Sequence, residues 1–202
     1  MPRGKLVVFD GADNLGKSFQ LEALSNYLKD KKFKVINTKE PGAGIIGSQI
    51  RKILLDSKEK LPAKTQVLLF EADRNYHCET ILKPYLEQGY IVLCDRFTLS
   101  TLVYQHKLNG LSENEVYDLN GYASNYLVPD LTFVFHGKPF TYEVKDEYEK
   151  HTVYKNHEKL NNYYIDYGRV LPNHFLIEAN REKDVVFSEL LSYIEERIIP
   201  TL

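Results

Sequence analysis

One stretch near the N-terminus constrains the fold more than any other: Lys5-Leu6-Val7-Val8-Phe9-Asp10-Gly11-Ala12-Asp13-Asn14-Leu15-Gly16-Lys17-Ser18. An apolar, β-branched run leads into Gly-x-x-x-x-Gly-Lys-Ser, and a segment with helical spacing (Leu21, Leu24, Leu28) follows. Strand, glycine-bounded loop and helix in that order make a P-loop, the context in which this spacing carries meaning. The glycines let the backbone fold tightly, so that successive N–H groups converge on a phosphate, and the helix N-terminus adds a favourable dipole. Gly11, Asp13, Asn14, Leu15, Gly16, Lys17 and Ser18 are therefore expected to hold a nucleoside triphosphate. Lys17 would act as a point charge and Ser18 as a ligand to Mg²⁺.

Downstream, strands and helices alternate to the C-terminus without an internal repeat or long linker. The spacing predicts helices over 17–31, 46–57, 62–88, 100–108, 113–126, 149–170 and 185–198. After the first strand, further strands are predicted over 34–38, 90–94, 131–135 and 174–178. Pro62 suits a first helical turn and Gly89 a helix stop. Residues 137–150 are Lys-rich, contain no long apolar run and read as a mobile segment. Five short apolar strands joined through helices imply right-handed crossovers and a parallel sheet buried on both faces. The expected fold class is α/β: a P-loop three-layer α/β/α sandwich with a five-stranded parallel sheet, in a single domain over 1–202. Ligands in such folds gather at the carboxyl ends of the strands. The polar residues to read are thus Asp13, Glu40, Asp95 and Arg96.

Length and charge set limits on function. With 202 residues the chain suffices for one domain with a sizeable core and is short for two. A net charge of −2 provides no basic field to attract nucleic acid. No apolar run approaches the roughly 18 residues that suggest a membrane span, and no leader is expected before the first strand. Cys78 and Cys94 show neither metal spacing nor a disulfide framework. A soluble, cytoplasmic protein with neither nucleic-acid nor membrane partners is expected.

Asp95-Arg96 has two physically distinct uses directly after the third strand. The carboxylate can hold Mg²⁺ or its water shell, and the guanidinium can grip phosphate in a bidentate fork; a structural pair closing the strand is the simpler possibility. Phe70 and Arg74 stand at i and i+4 on one helix and share a face. An aromatic face can stack on a base while the arginine donates to a carbonyl oxygen. Taken alone, the pair reads more simply as a core phenylalanine beside a solvated arginine. Ser100, Thr101, Tyr104 and Gln105 place hydroxyls and an amide along one helical edge.

In combination these segments resemble the thymidylate kinases. Thr38-Lys39-Glu40-Pro41-Gly42 is similar to that family's Thr-Arg-Glu-Pro-Gly, with Ile50-Arg51-Lys52-Ile53-Leu54-Leu55 after it. Leu68-Leu69-Phe70-Glu71-Ala72-Asp73-Arg74 looks like its helix carrying Phe and Arg four residues apart. The run from Asp95-Arg96 through Ser100 to Tyr104-Gln105 looks like its bacterial-type Asp-Arg-x-x-x-Ser-x-x-x-Tyr-Gln segment. Pro129-Asp130-Leu131-Thr132 and Asp146-Glu147-Tyr148-Glu149 fall where the family has them, so the resemblance spans the chain in order.

The resemblance implies in-line transfer of the ATP γ-phosphoryl group to dTMP, with ATP and Mg²⁺ as the donor pair. A phosphomonoester is already largely dianionic at neutral pH, so no general base is needed. Lys17, Arg96 and Asp13 become the implied catalytic residues, and Ser18 and Asp95 the implied metal site. On the acceptor side, Phe70, Arg74, Thr101 and Gln105 would meet the base, with Ser100 beside them. Tyr104 would pack beneath C2′ of the sugar, and Asp13 would hydrogen-bond the 3′-OH. Arg51 and Arg96 would meet the charged end, Glu40 and Pro41 would shape that side of the cleft, and Tyr148 belongs to a short lid over 137–150. In several relatives the bond before that proline is cis, which makes the isomer a possibility here. A homodimer through the helical face is also implied, for which the helix 62–88 would serve.

The chain departs from the family at one point. Members place a catalytic arginine either in the P-loop or just before the Tyr-Glu pair of the lid; here Asn14 and Glu147 stand at those places. No arginine occurs between Arg96 and Arg169. A lysine, Lys145 or Lys150 ahead of Lys138, is expected to substitute as a point charge, though without the planar fork of arginine. The alternatives are three. One is the same chemistry on dUMP or a 5-modified deoxyuridylate, since a methyl group is worth about 1–3 kcal/mol of discrimination. Another is a deoxynucleoside kinase using Asp10 or Asp13 as base. The third is a P-loop binding module that phosphorylates nothing, which would have no use for the acceptor-side residues.

Overall fold

The first strand, β1 (Lys5–Gly11), is the middle strand of a five-stranded sheet in the computed structural model, which describes residues 3–141 and 156–202. Its companions are β2 (Val35–Lys39), β3 (Ile91–Asp95), β4 (Leu131–His136) and β5 (His174–Glu178). The order is β2-β3-β1-β4-β5, and every pairing is parallel. Alternation along β1 explains why the sheet is buried on both faces. Val7 and Phe9 join one apolar cluster with Leu21, Leu24 and Leu28, whereas Leu6 and Val8 join a second with Cys78, Leu82 and Leu86. Successive side chains on a strand point to opposite faces, so an uninterrupted apolar run feeds two cores. The predicted α/β sandwich and its five parallel strands are therefore found.

Helices cover both faces. They are α1 (Lys17–Asp30), α2 (Gly44–Asp56), α3 (Ala63–His77), α4 (Lys83–Glu87), α5 (Thr98–Thr101), α6 (Glu113–Ser124), α7 (His157–Val170) and α8 (Lys183–Tyr193). The helix expected over 62–88 is found with one refinement: α3 passes through a wide π-helical turn, Cys78–Leu82, into α4. Pro84 gives the reason, because proline lacks the N–H that an α-helical bond to residue 80 needs, and its ring crowds that carbonyl. The helix expected over 100–108 starts earlier, at Thr98, and continues as a second π turn, Leu102–Leu108. The helix expected over 149–170 is described from His157 onward; its first part, with most of the 137–150 segment, lies outside the described residues. None of the helices is long and apolar enough to cross a membrane among the described residues.

The carboxyl ends of β1, β2 and β3 converge on one edge of the sheet. At Gly11 (φ 134°) an added Cβ would collide with the carbonyl oxygen of Phe135 on β4. Glycine there lets β1 and β4 stay paired up to the point where the P-loop begins.

Candidate active site

The carbonyls of Gly11, Ala12, Asp13 and Asn14 each find a donor. Lys17 Nζ donates to Gly11 O (3.1 Å) and Ala12 O (2.6 Å), and Arg96 Nη1 also reaches Gly11 O at 3.1 Å. His157 Nε2 donates to Asp13 O at 3.2 Å, and the Phe140 N–H to Asn14 O at 2.9 Å. A trans peptide carries its N–H opposite its carbonyl, so the contacts from His157 and Phe140 fix the direction of the Asn14 and Leu15 N–H groups. Gly16 (φ 75°) carries the chain in left-handed conformation into α1. Burial lowers the Lys17 amine to about 8, with Arg96 adding to that effect and Asp13, Asp95 and Asp10 opposing it.

Beside the loop, Ser18 Oγ donates to Asp95 Oδ2 at 2.8 Å. No cluster of three or more His, Cys, Asp or Glu able to hold a metal occurs among the described residues. A hydroxyl and a carboxylate side by side are hard oxygen donors of the kind Mg²⁺ takes when substrate phosphates and water complete its shell. The residues present fit that ion.

Arg96 follows Asp95 with φ 73°, a left-handed conformation uncommon for a residue with a side chain. The turn separates two neighbours that a strand would already send to opposite faces, leaving Asp95 on Ser18 and Arg96 on Asp13. Arg96 Nη2 is paired with Asp13 Oδ1, and Tyr104 donates its hydroxyl to Asp13 Oδ2 at 2.8 Å. Burial alone would raise the Asp13 carboxyl; Arg96, Lys17 and the two hydrogen bonds overcome it and hold the group at about 2. Arg96 Nη1 also donates to Ser100 Oγ (3.1 Å) and Tyr164 OH (3.0 Å). The Ser100 hydroxyl hydrogen goes to Asp10 Oδ1 at 2.7 Å, so in the 2.9 Å contact with Tyr164 it is the phenol that donates.

Asp10 is a residue that the sequence suggests only as a base, and the structure gives it another role. It is fully buried and accepts from the N–H groups of Gly11 (2.9 Å), Phe97 (3.3 Å) and Ser100 (3.1 Å) as well as from the Ser100 hydroxyl. With its oxygens so occupied it braces the turn between β3 and α5. Tyr164, on α7, was not singled out by the sequence, because nothing local to that helix marks a contact with β3.

Next to the Asp13–Arg96 pair opens a cavity of about 110 Å³. Its wall includes every acceptor-side residue nominated from sequence except Tyr148, which lies outside the described residues, as do Lys145 and Lys150. Phe70 is half-buried and belongs to neither apolar core. Arg74 is 2% exposed, so the simpler expectation of a core phenylalanine and a solvated arginine does not hold. Arg74 Nε donates to Glu40 Oε2 (3.0 Å), and Nη1 to Glu71 Oε1 and Asn120 Oδ1 (both 2.6 Å). Glu40 in turn meets His77 Nδ1 at 2.9 Å, and His77 Nε2 meets Thr38 Oγ1 at 2.7 Å. Burial raises the Glu71 carboxyl despite Arg74. The Glu40–Pro41 bond is cis, and Arg51 Nη1 donates to Pro41 O at 2.9 Å. Thr101 and Gln105 are buried on the cavity wall; Gln105 Oε1 accepts from Asn109, and Gln105 Nε2 has no hydrogen-bond partner. Asp73 was missed: one of its oxygens accepts the Gly42 N–H at 3.0 Å and the other has no hydrogen-bond partner. Burial, with Glu40 nearby, pushes it up to about 6.

The family model for thymidylate kinase matches residues 9–190. A thymidylate kinase from Thermosipho africanus is 35% identical over 197 residues, covering 95% of this chain and 98% of the relative. Another, from a Sulfurihydrogenibium species, is 37% identical over 181 residues, covering 89% of this chain and 85% of the relative. Among solved structures, the thymidylate kinase of Ehrlichia chaffeensis superposes with a TM-score of 0.79 at 25% identity, covering 96% of this chain and all of that one.

Proposed function

The chain belongs to the thymidylate kinase family, and on that premise we propose how its residues carry the family's reaction. That reaction is phosphorylation of dTMP to dTDP by ATP with Mg²⁺, a transferase step of nucleotide biosynthesis. The residue roles rest above all on one observation. Asp13 stands in the P-loop and, with its partner Arg96, also lines the cavity, so donor and acceptor sites share a wall.

ATP lies with its phosphates on the loop from Gly11 to Ser18. Lys17 exchanges its carbonyl contacts for phosphate oxygens, gaining where it now satisfies its own backbone. Ser18 and Asp95 would hold Mg²⁺, which would supply charge neutralisation at the phosphates. The acceptor base stacks on Phe70, with Arg74, Thr101 and Gln105 at its polar edge; the otherwise unsatisfied Gln105 amide supplies a donor there. Tyr104 supports the sugar, and Asp13 accepts from its 3′-OH. Arg96 and Arg51 face the 5′-phosphate, and Glu40-Pro41 shapes that end. An oxygen of the dianionic monophosphate forms the new bond to the γ-phosphorus as the bond to the β,γ-bridging oxygen breaks, and ADP leaves. Positioning and charge neutralisation carry the step. A lysine, Lys145 or Lys150 before Lys138, takes the place of the family's catalytic arginine, and Tyr148 belongs to the same segment. Alanine variants at the three lysines that all turn over at the wild-type rate would remove that role.

The chain acts as one domain and as a homodimer. Ile45, Ile46 and Ile53 on α2 and Leu68 on α3 are 77%, 50%, 49% and 58% exposed, an apolar surface suited to a second copy. The reaction is placed in the cytoplasm, where the buried free thiols of Cys78 and Cys94 stay reduced. ADP release with dTMP, dUMP, TMP, dCMP and AMP as acceptors tests the reading. Turnover with dTMP, and at most also dUMP, is expected; ADP release that no acceptor stimulates would refute it.

A further inference from the structure

Between Gly11 and Gly16 the P-loop carries no cationic side chain, which leaves the backbone N–H groups a large share of its contact with the donor phosphates. How those groups are aimed therefore matters. The carbonyls of Gly11 and Ala12 are held by Lys17 and Arg96, residues that belong to the reaction. The next two are held from elsewhere. Asp13 O accepts from His157 Nε2 at 3.2 Å, and Asn14 O from the Phe140 N–H at 2.9 Å.

The planar trans peptide joins the Asp13 carbonyl rigidly to the Asn14 N–H on its opposite side. Fixing the carbonyl toward α7 fixes that N–H toward the phosphate face. Asn14 has φ 59°, a conformation a non-glycine residue adopts at a cost of about 1–3 kcal/mol and keeps only when its surroundings hold it there. His157 is one of those surroundings. It opens α7, and Tyr164 follows seven residues later on the same helical face, where it meets Arg96. Asp13 is thus gripped at its carboxylate by Arg96 and Tyr104 and at its carbonyl by His157.

We infer that His157 is a positioning residue of the donor site: its Nε2–H holds the Asp13–Asn14 peptide so that the Asn14 N–H is aimed at the phosphates of bound ATP. A carbonyl oxygen only accepts, so Nε2 must carry the hydrogen, as it does in the imidazolium and in one neutral tautomer. The role needs a donor of the right reach and no charge. The inference rests on the reading of the P-loop as the ATP site, and its test reads nucleotide binding without an acceptor, so that failure of the acceptor assignment leaves it decidable.

Three variants separate positioning from packing: His157→Phe fills the space without a donor, His157→Gln restores an N–H at similar reach, and His157→Ala does neither. Calorimetric titration with MgATP and, separately, with dTMP gives both affinities, and thermal unfolding of each ligand-free variant reports on the fold. The Phe and Ala variants are expected to bind MgATP about 10-fold more weakly, as loss of one charge-assisted donor implies, with dTMP affinity within about 2-fold of wild type. His157→Gln is expected to recover most of the loss. Wild-type MgATP affinity in His157→Phe, equal losses for both ligands, or no recovery in His157→Gln would each overturn the inference. Should wild type bind MgATP but never phosphorylate dTMP, the acceptor reading fails while the His157 comparison still stands.

Discussion

Tyr104 donates its hydroxyl to Asp13 Oδ2 at 2.8 Å, joining the wall of the cavity to the P-loop. The ring and the hydroxyl have separable consequences. Tyr104→Phe keeps the ring and removes a hydrogen bond to a charged group, which is worth about 1.5–3 kcal/mol. A fall of about 10- to 100-fold in kcat/KM for dTMP is expected, with discrimination against ribothymidine monophosphate retained. Tyr104→Ala should lose that discrimination too. Continued rejection of the ribonucleotide by Tyr104→Ala would take the ring out of sugar selection.

Arg74 sits among Glu40, Glu71 and Asn120 with almost no exposure. Removing one partner of a buried ion pair leaves the other charge uncompensated and costs about 3–5 kcal/mol. Arg74→Met should therefore lower the urea midpoint strongly and abolish dTMP binding. A variant as stable as wild type would mean that Glu40 and Glu71 do not depend on Arg74 for their compensation.

Asp73 gives a pH signature. Burial pushes its carboxyl from 3.8 up to about 6, so the folded protein binds a proton there that the unfolded chain has already released. The contribution of this carboxyl to stability is then highest below about 4, falls as the pH rises towards 6, and stays lower above it by at most about 2–3 kcal/mol. Asp73→Asn keeps an oxygen for the Gly42 N–H and removes the titration. The urea midpoint of the variant relative to wild type should rise between pH 5 and pH 8. Parallel pH dependence of the two proteins would exclude a protonated Asp73.

Ser18 and Asp95 are in hydrogen-bond contact at the end of β3. Asp95→Asn keeps the shape and removes the charge that attracts a cation. The Mg²⁺ concentration giving half-maximal rate should rise about 10-fold, the effect of roughly 1.4 kcal/mol, while KM for dTMP stays the same. An unchanged Mg²⁺ dependence would exclude Asp95 from the metal site.

The parts of this protein that were legible in its sequence are the local ones. Apolar runs such as Tyr90-Ile91-Val92-Leu93-Cys94 read as buried strands because alternate residues fill two cores, and the P-loop reads at once because its spacing is contiguous. Phe70 with Arg74 and Ser100 with Tyr104 stand one turn apart and reach the same cavity for that reason. The π turn before Pro84 was not legible, since proline at that place permits a kink, a break or a bulge. Nor were the supporting contacts. Tyr164 meets Arg96 across 68 positions of chain and His157 meets Asp13 across 144, and neither has a local pattern to mark it. Asp10 was visible as a carboxylate before the loop, but its role as a brace depends on the N–H groups that β3 and α5 bring to it.

In the proposed reaction the P-loop and the adjoining cavity hold two nucleotides between which a phosphoryl group moves. Following ³¹P resonances in a mixture of the protein, MgATP and dTMP tests it most directly. The dTMP signal is expected to give way to the two coupled phosphates of dTDP, one dTDP for each ADP formed, with no inorganic phosphate. ADP accompanied by inorganic phosphate, at a rate indifferent to dTMP, would contradict it.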